Sequence, residues 1–308
     1  MIVLTGTTGG LGSQVLKHLL PLVPASQITV SLYNPTLANT AGFPAGVTVR
    51  RGDFGDPASL DAAFAGAERL LIVSYPSIAH ELRVRHHVNA IDAAKRAGVK
   101  HIYYTSLAFA DDSVSEVMQA HLDTQKYLKE SGVTYTIIRE GIYEESYPLY
   151  FGFFDKSKTD LYVPGDGPIA WVSREDLGEG TARIIAGGGF ENQTVLLSGS
   201  ASSNLTLQQL STTISRILAH PVNLHVVSVD EYVAKNKSPN PDDPRGSEDF
   251  LRKWAKTFDA MRRGETARVD PLLQELLGRP LRSMEAYLEK TLGSLSDAEK
   301  EALEQYAK

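Results

Sequence analysis

The chain has 308 residues, of which 42% are hydrophobic and 22% are charged, and a formal net charge of −6. These values are typical of a globular protein and argue against binding to nucleic acid or to an anionic membrane through net charge. Because the sequence contains no cysteine, disulfides, thiol catalysis and cysteine-ligated metals are excluded. No apolar run approaches the ~20 residues that cross a bilayer. We therefore expect a cytoplasmic protein with neither a membrane nor a nucleic-acid partner.

The first part of the chain alternates short apolar runs with amphipathic segments, a pattern typical of βαβ units in a parallel sheet. The predicted strands are Ile2–Thr5, Ile28–Leu32, Val47–Arg50, Arg69–Val73, His101–Tyr104 and Tyr135–Ile138. The predicted helices between them are Gly10–Leu20, Asp56–Gly66, Ala79–Ala97 and a segment that runs from a capping box at Ser113–Glu116 to Ser131. The sequence therefore predicts an α/β fold with a doubly wound parallel Rossmann sheet.

The alternation weakens in the second half of the chain. Two further strands are predicted at Val195–Leu197 and Leu224–Val227, and three helices at Leu205–Leu218, Ser283–Leu292 and Ser296–Tyr306. We therefore predict an NAD(P)-binding Rossmann domain over residues 1–150. A smaller, partly helical α/β region over residues 151–308 is predicted to bind the substrate.

Three glycines at intervals of three residues follow the first predicted strand and open the first predicted helix. Gly6 permits a tight turn, Gly9 lets the backbone approach a pyrophosphate, and Gly12 allows the helix to pack closely on the strand. The helix N-terminus then presents N–H groups and a positive dipole end to the phosphates. The alternative is an ordinary glycine turn. We favour a dinucleotide site formed by Gly6, Thr7, Thr8, Gly9, Gly10, Leu11 and Gly12.

A second signal follows the third predicted strand, where the sequence reads Gly52-Asp53-Phe54. The Asp53 carboxylate at this position is suited to accept a hydrogen bond from the adenine amino group, and the Phe54 ring is suited to flank the base. The alternative is that Asp53 caps the turn before the helix that begins at Asp56. In combination with the glycine motif, we favour a cofactor role for both residues.

Several segments together resemble the NmrA-like branch of the atypical short-chain dehydrogenases/reductases. They are Gly6–Gly12, Asn34-Pro35, Gly52–Phe54, Tyr104–Ser106, His121 and Arg139–Tyr143, and the likeness continues through Val172–Asp176. The subgroup that the chain most resembles contains the NADPH-dependent quinone reductases and triphenylmethane reductases. The resemblance implies a Rossmann domain with Asn34 in the cofactor site, and a small C-terminal substrate domain that closes over the nicotinamide end.

The sequence departs from this family at the end of the second strand. Tyr33 stands where relatives usually have an arginine that holds the 2′-phosphate of NADP, and no acidic residue is present there to bind the ribose hydroxyls of NAD. Arg50 and Arg51 end the third strand, which we expect beside the second, and either is suited to supply the missing charge. Both are alternatively solvated surface residues. We favour NADP(H) over NAD(H) as the cofactor.

The Tyr-x-x-x-Lys pair of short-chain dehydrogenases is absent. The corresponding helix carries His121 and Gln125 on one face, and relatives have an acidic residue at the second position. With a pKa near its ordinary value, the His121 imidazole is able to donate a proton to a reduced oxygen. The alternative is a structural histidine that bonds a backbone carbonyl.

Other candidates follow the predicted strands and should open onto the edge where ligands bind in such sheets. Ser74, Tyr75 and Ser106 are expected to contact the cofactor, while Tyr75, Leu107, Glu140 and Tyr143 are expected to contact the substrate, with Tyr143 joining His121 as a catalytic candidate. Glu140, Glu144 and Glu145 predict an acidic mouth that suits a cationic substrate, although Glu144 and Glu145 alternatively belong to a solvated loop. Adjacent histidines at 86 and 87 face apart, and we predict no metal site.

Three functions are compatible with these residues. The first is NAD(P)H-dependent reduction of a conjugated small molecule of the quinone, enone or iminium type, which needs little acid catalysis. The second is a dinucleotide-binding redox sensor that has lost catalysis and regulates a protein partner. The third is a non-redox biosynthetic enzyme on the same scaffold. His121 and Tyr143 favour an enzyme, whereas Gln125 and Glu140 favour the loss of catalysis.

Overall fold

A computed structural model describes residues 1–36, 42–240 and 242–293. Its strands are β1 Ile2–Thr5, β2 Ile28–Leu32, β3 Thr48–Arg51, β4 Arg69–Ile72, β5 His101–Leu107, β6 Thr134–Glu140, β7 Asp160–Val163, β8 Ile169–Ala170, β9 Gln193–Leu197, β10 Asn204–Leu205 and β11 Asn223–Val226. Its α-helices are α1 Gly10–Leu19, α2 Pro57–Phe64, α3 His80–Arg96, α4 Glu116–Glu130, α5 Tyr147–Tyr150, α6 Arg174–Gly187, α7 Leu207–Leu218, α8 Val229–Asn236, α9 Glu248–Arg262, α10 Leu272–Leu277 and α11 Met284–Leu292.

Seven strands form one parallel sheet in the order β3-β2-β1-β4-β5-β6-β9. This confirms the predicted doubly wound sheet and the expected position of the third strand beside the second. The strand predicted at Val195–Leu197 is the last strand of this sheet, where Val195 pairs with Ile138 of β6. The sheet therefore extends one strand beyond the six that the first half of the sequence supplies.

The central strands are buried because they carry continuous apolar runs, as strands covered on both faces do. A core of buried residues links β1, β4, β5 and β6 to α2, α3 and α4, and includes Val3, Phe64, Ile72, Ile91 and Ile102. Helices α1 and α6 pack against each other. Their contact is close: a Cβ placed on Gly178 of α6 would lie 2.4 Å from the Cβ of Gln14 in α1.

The chain divides into two compact units. The first contains residues 1–141, 174–198 and 270–280, and the second contains residues 142–173, 199–269 and 281–308. The first unit therefore takes in β9 and α6, which lie beyond residue 150. In the second unit β7 pairs with β11 in parallel and β8 pairs with β10 in antiparallel fashion. Substrate binding by the second half of the chain stays a prediction.

Three details differ from the sequence expectations or lie outside the described residues. The predicted capping box at Ser113–Glu116 is wrong, because α4 begins at Glu116 with Ser115 as its N-cap, and the Ser113 hydroxyl accepts from the N–H of Ser115 at 3.1 Å. Helices α5, α6, α8, α9 and α10 and the short strands β7, β8 and β10 were not predicted from the sequence. The helix predicted at Ser296–Tyr306 lies outside the described residues. Within those residues, no helix is long and apolar enough to cross a membrane.

Candidate active site

The glycine turn joins β1 to α1. Gly6 has a φ of +67°, which favours glycine, and its carbonyl accepts from the N–H of Gly9 at 2.9 Å. A Cβ on Gly12 would lie 2.2 Å from the Gly6 carbonyl oxygen, so only glycine fits there. The hydroxyl of Thr7 is buried and has no hydrogen-bond partner among the described residues. This turn therefore leaves a buried hydroxyl and the N–H groups at the head of α1 for an anion.

Arg174, the first residue of α6, lies beside this turn. A Cβ on Gly10 would lie 3.0 Å from the Nε and from one terminal nitrogen of Arg174. The close packing of α6 on α1 delivers the guanidinium to the N-terminus of α1, and Lys17 of α1 pairs with the neighbouring Glu175 at 2.7 Å. A role for Arg174 was not predicted from the sequence. Its position in Val172–Asp176, a segment that resembles the NmrA-like family, could have indicated one.

The loop after β4 is held by side chains from the next two elements. The N–H of Ser74 donates to the Thr105 hydroxyl at 3.0 Å, and the N–H of Tyr75 donates to Nε2 of His87 at 2.8 Å. The guanidinium of Arg83 donates to the Ser74 hydroxyl at 2.9 Å. Burial, with a smaller contribution from Arg83, lowers the pKa of His87 to about 3. His87 is therefore neutral, and it fixes the backbone at Tyr75.

His121 lies on α4 with its Nδ1 2.9 Å from the hydroxyl oxygen of Tyr104 on β5. Burial, assisted by the positive charge of Arg83, lowers the pKa of His121 well below its ordinary value. The expectation of an ordinary imidazole pKa is therefore wrong. Burial also raises the pKa of Tyr104 to about 12. At neutral pH this pair consists of a neutral imidazole and a neutral phenol.

Gln125 links the end of β5 to the end of β6. Its amide nitrogen donates to the Ser106 hydroxyl at 2.7 Å, and its amide oxygen accepts from Arg139 at 3.0 Å. Arg139 also donates to the Phe109 carbonyl at 3.2 Å and pairs with Asp111. An amide suits this position because it donates to one neighbour and accepts from the other. Leu107, the last residue of β5, is half-buried.

The predicted acidic mouth is not formed. Glu140 is buried and accepts from the Thr181 hydroxyl at 2.8 Å, and burial raises the pKa of its carboxyl to about 8. In the second unit, Arg282 contacts Glu144 at 2.8 Å and Glu145 at 3.0 Å. Glu144 is buried and Glu145 is half-buried, so the solvated-loop alternative is wrong as well. Sequence spacing could not predict these partners, because they come from α6 and from the segment before α11.

Tyr143 belongs to the second unit, whereas His121 belongs to the first. The backbone carbonyl of Tyr143 accepts from the N–H of Ser146 at 2.9 Å and from its hydroxyl at 2.7 Å. Tyr143 also forms an isolated β-bridge with Val172. The catalytic and substrate-binding roles of Tyr143 stay predictions.

The segment after β3 combines a capped turn with aromatic rings. Asp53 accepts from the N–H of Gly55 at 2.7 Å, as the capping alternative expected. The Phe54 ring lies 6.3 Å from that of Tyr75, which in turn lies 4.4 Å from the imidazole of His86. The Asn34 carbonyl accepts from the N–H of Thr36 at 3.0 Å. A role of Asp53, Phe54 and Asn34 at the adenosine end of a cofactor stays a prediction.

The two arginines at the end of β3 differ in their partners. Arg50 donates to the carbonyl oxygens of Ala63 at 3.1 Å and Ala65 at 2.8 Å, and so closes the C-terminal end of α2. Arg51 is half exposed and pairs with Asp56 at 2.8 Å and with Asp53 at 3.6 Å. The solvated alternative is therefore wrong for Arg50, whereas Arg51 is an exposed surface residue, as that alternative expected. Arg50 is committed to the fold, whereas Arg51 remains accessible to a ligand.

Comparison with known proteins gives this arrangement a context. The NmrA-like family matches residues 1–270 of the chain. The chain belongs to the NmrA-like family. It is 39% identical over 282 residues to an NmrA-like family domain-containing oxidoreductase of Aspergillus flavus, with 90% of each chain covered. It is 38% identical over 238 residues to quinone oxidoreductase 2 of Escherichia coli, covering 77% of this chain and 82% of the relative.

Solved structures agree with this assignment. The NADPH complex of the NADPH-dependent quinone oxidoreductase of Escherichia coli superposes with a TM-score of 0.82 at 33% identity, covering 94% of this chain and 99% of the other. The NADP(H) complex of the Citrobacter triphenylmethane reductase superposes with a TM-score of 0.81 at 31% identity, with the same coverage. The resemblance stated from the sequence is therefore confirmed at the level of family and fold.

Proposed function

We propose that this chain is an NADPH-dependent reductase of conjugated small molecules of the quinone, enone or iminium type. The observation that carries the proposal is the glycine turn at the head of α1, with the unpartnered hydroxyl of Thr7 and the guanidinium of Arg174 beside it. N–H donors, a hydroxyl and a cation suit the two phosphates of a dinucleotide. The NADPH-bound quinone reductase of Escherichia coli, at 33% identity, supports the same cofactor.

A conjugated acceptor fits the groups that this chain offers. The bound dinucleotide would supply a hydride, and the protein would supply position and protons. The chain has no Tyr-x-x-x-Lys pair, and its buried His121 is neutral, so only a weak acid is available to the strongly basic oxyanion that hydride addition to a plain ketone would form. A quinone or an iminium carries its own electron sink, so that orientation supplies most of the rate. We place Ser74, Tyr75, Ser106 and Leu107 along the cofactor and substrate.

The charge that selects NADPH is assigned to Arg51. Arg50 donates to two carbonyl oxygens of the fold, whereas Arg51 is 51% exposed and follows the same strand. A 2′-phosphate would have to compete with Asp56 and Asp53 for the Arg51 guanidinium. We therefore expect a preference for NADPH over NADH that is smaller than a dedicated, unpaired arginine would give.

The test is the oxidation of NADPH, followed by its absorbance, with a panel of quinones, enones, imines and triarylmethane dyes. We expect turnover with at least one electron-poor acceptor and little with plain ketones. Gly9→Val, which should bind NADPH poorly, is the control. Turnover that persists in this variant would arise outside the proposed site. Tight nucleotide binding without turnover of any acceptor would favour the redox sensor. Consumption of a compound without loss of NADPH would favour the non-redox enzyme.

A further inference from the structure

A cluster of hydroxyl and imidazole groups surrounds Tyr104, at the level where β4 ends. Tyr104 pairs with Ile72, the last residue of β4, so its side chain lies beside the loop that begins at Val73. Its hydroxyl oxygen is 2.9 Å from Nδ1 of His121 and 3.4 Å from Nδ1 of His87. The Ser74 hydroxyl lies 3.3 Å from Nε2 of His87, and the Thr124 hydroxyl lies 2.9 Å from its Nδ1. Tyr104 therefore occupies the centre of a buried hydrogen-bond network.

The partners of His87 indicate where its hydrogen lies. The N–H of Tyr75 donates to Nε2 of His87, so the neutral ring carries its hydrogen on Nδ1. The hydroxyl of Thr124 donates to the Ala120 carbonyl at 2.8 Å and accepts from Nδ1 of His87 at 2.9 Å. The oxygen of Tyr104 faces the same N–H at a longer distance. Its own hydrogen is then directed to Nδ1 of His121.

The hydrogen bond that Tyr104 donates determines which ring nitrogen of His121 carries a hydrogen. An imidazole that accepts at Nδ1 and is neutral carries its hydrogen on Nε2. The ring is therefore set to lose a proton at Nε2 while it gains one at Nδ1. Because the two transfers together leave the ring uncharged, burial does not oppose them as it opposes an imidazolium.

We propose that Tyr104 and His121 form a proton relay that protonates the reduced oxygen of the substrate. His121 is the catalytic residue, which gives its Nε2 proton to the substrate oxyanion. Tyr104 is the positioning residue, which gives its hydroxyl proton to Nδ1 of His121 and regains one from Nδ1 of His87, 3.4 Å away. Nε2 of His87 takes a proton in turn from the half-buried Ser74 hydroxyl, 3.3 Å away, and thus from solvent. For a quinone, one hydride from NADPH and one proton from the relay yield the hydroquinone. The relay rests on the proposed reductase function.

The test compares two acceptors that differ in their need for a proton. A naphthoquinone needs one hydride and one proton, whereas crystal violet, a triarylmethane cation, becomes its neutral reduced form with a hydride alone. We expect Tyr104→Phe to lower kcat for the quinone by about 10²-fold, as loss of general-acid assistance does, and to lower it at least tenfold less for the dye. NADPH affinity, measured by calorimetry, should change little for Tyr104→Phe.

Tyr103→Phe is the matched control. Tyr103 is adjacent on the same strand, its side chain points to the opposite face, and its buried hydroxyl has no hydrogen-bond partner among the described residues. The Tyr103→Phe variant should leave the ratio of kcat for the quinone to kcat for the dye unchanged. An equal loss with both acceptors in Tyr104→Phe, or no loss, would overturn the relay alone. Wild-type protein that reduces neither acceptor would overturn the proposed function and the relay with it.

A readout independent of turnover is the nitrogen NMR spectrum of the histidine rings in the nucleotide-free protein. The relay requires hydrogen on Nε2 of His121 and on Nδ1 of His87. Tyr104→Phe should shift the Nδ1 resonance of His121 more than either nitrogen of His101, which bonds Thr136 elsewhere in the sheet. A His121 ring that carries its hydrogen on Nδ1 would overturn the relay.

Discussion

The turn at the head of α1 is made of backbone, whereas the cluster around Tyr104 is made of side chains. The turn lies within seven consecutive residues, and its shape follows from Gly6 and Gly12, where a side chain has no room. The cluster draws on the loop after β4, on β5, on α3 and on α4, with members from Ser74 to Thr124. Its geometry depends on the register that places Tyr104 level with Ile72.

This difference separates two kinds of function in one site. A backbone turn recognises what many dinucleotides share, the pyrophosphate, and tolerates changes around it. A side-chain network determines which chemistry follows, because each hydroxyl or imidazole has a defined direction of hydrogen bonding. We therefore expect substitutions in the turn to act on binding and folding, and substitutions in the network to act on turnover.

The largest expected effect is at the base of the turn. Gly12→Ala places a Cβ 2.2 Å from the Gly6 carbonyl oxygen, which is backbone and cannot move aside. We expect the free energy of unfolding to fall by about 3 kcal/mol, as for an overpacked core. Gly187→Ala is the control, since open space surrounds that position at the end of α6. Urea titration measures both, and equal stability of the two variants would contradict the close packing of α1 on the turn at Gly6.

The next effect concerns Glu140, a buried carboxyl that the network does not include. Its raised pKa, about 8, means that the folded protein holds a proton that the unfolded chain releases near its ordinary pKa. The contribution of protonated Glu140 to the free energy of unfolding is complete at low pH and is lost as the pH rises towards 8. Glu140→Gln keeps an acceptor for Thr181 and removes the titration. Its stability relative to wild type should therefore rise by ~1.4 kcal/mol for each pH unit between 5.5 and 7.5.

Urea titrations at three pH values test this expectation. Glu285→Gln is the control, because Glu285 is an exposed residue paired with Arg216 on the surface of the second unit. A Glu140→Gln variant whose stability relative to wild type varies with pH no more than that of Glu285→Gln would contradict the raised pKa of Glu140.

The smallest expected effect is on the choice of cofactor. Arg51→Ala should lower the preference for NADPH over NADH about tenfold, which corresponds to ~1.4 kcal/mol, because Asp53 and Asp56 already compete for the guanidinium. Arg50→Ala should lower stability without changing the preference, since Arg50 bonds the end of α2. Calorimetric titration of wild type and both variants with NADPH and with NADH measures this preference. An unchanged preference in Arg51→Ala would remove Arg51 from the site.

The sequence predicted the parts that local patterns encode. The strands β1 and β2 were predicted to the residue, because each is a short apolar run that ends at a clear turn signal. Helix α6 was not predicted, since Gly178, Gly180 and Gly187 lower its helix propensity. Gly178 is present for another reason, the 2.4 Å approach to Gln14. Tertiary packing thus concealed the helix that carries Arg174.

The same limit applies to charge within the site. From the sequence, Glu144 and Glu145 indicated an acidic mouth, and an ordinary imidazole was expected at His121. Glu144 and Glu145 instead pair with Arg282, which lies far away in the chain. Burial lowers the pKa of His121, and no local sequence pattern reports that burial. The residue types were therefore predictable, whereas their partners and their burial were not.

The most direct test of the account is the binding of NADPH at the glycine turn. Gly9 has an ordinary φ of −90°, and a Cβ there would lie 3.3 Å from the Gly6 carbonyl oxygen, a tight contact but far less severe than the 2.2 Å at Gly12. A side chain at Gly9 should therefore destabilise the fold less than one at Gly12, while it blocks the close approach of a pyrophosphate. Calorimetric titration of wild type and Gly9→Val with NADPH makes the measurement. We predict saturable binding by wild type and a loss of about 100-fold, or ~2.7 kcal/mol, in the variant, with the thermal midpoint largely kept. Equal affinity in the two proteins, or no binding by wild type, would contradict the account.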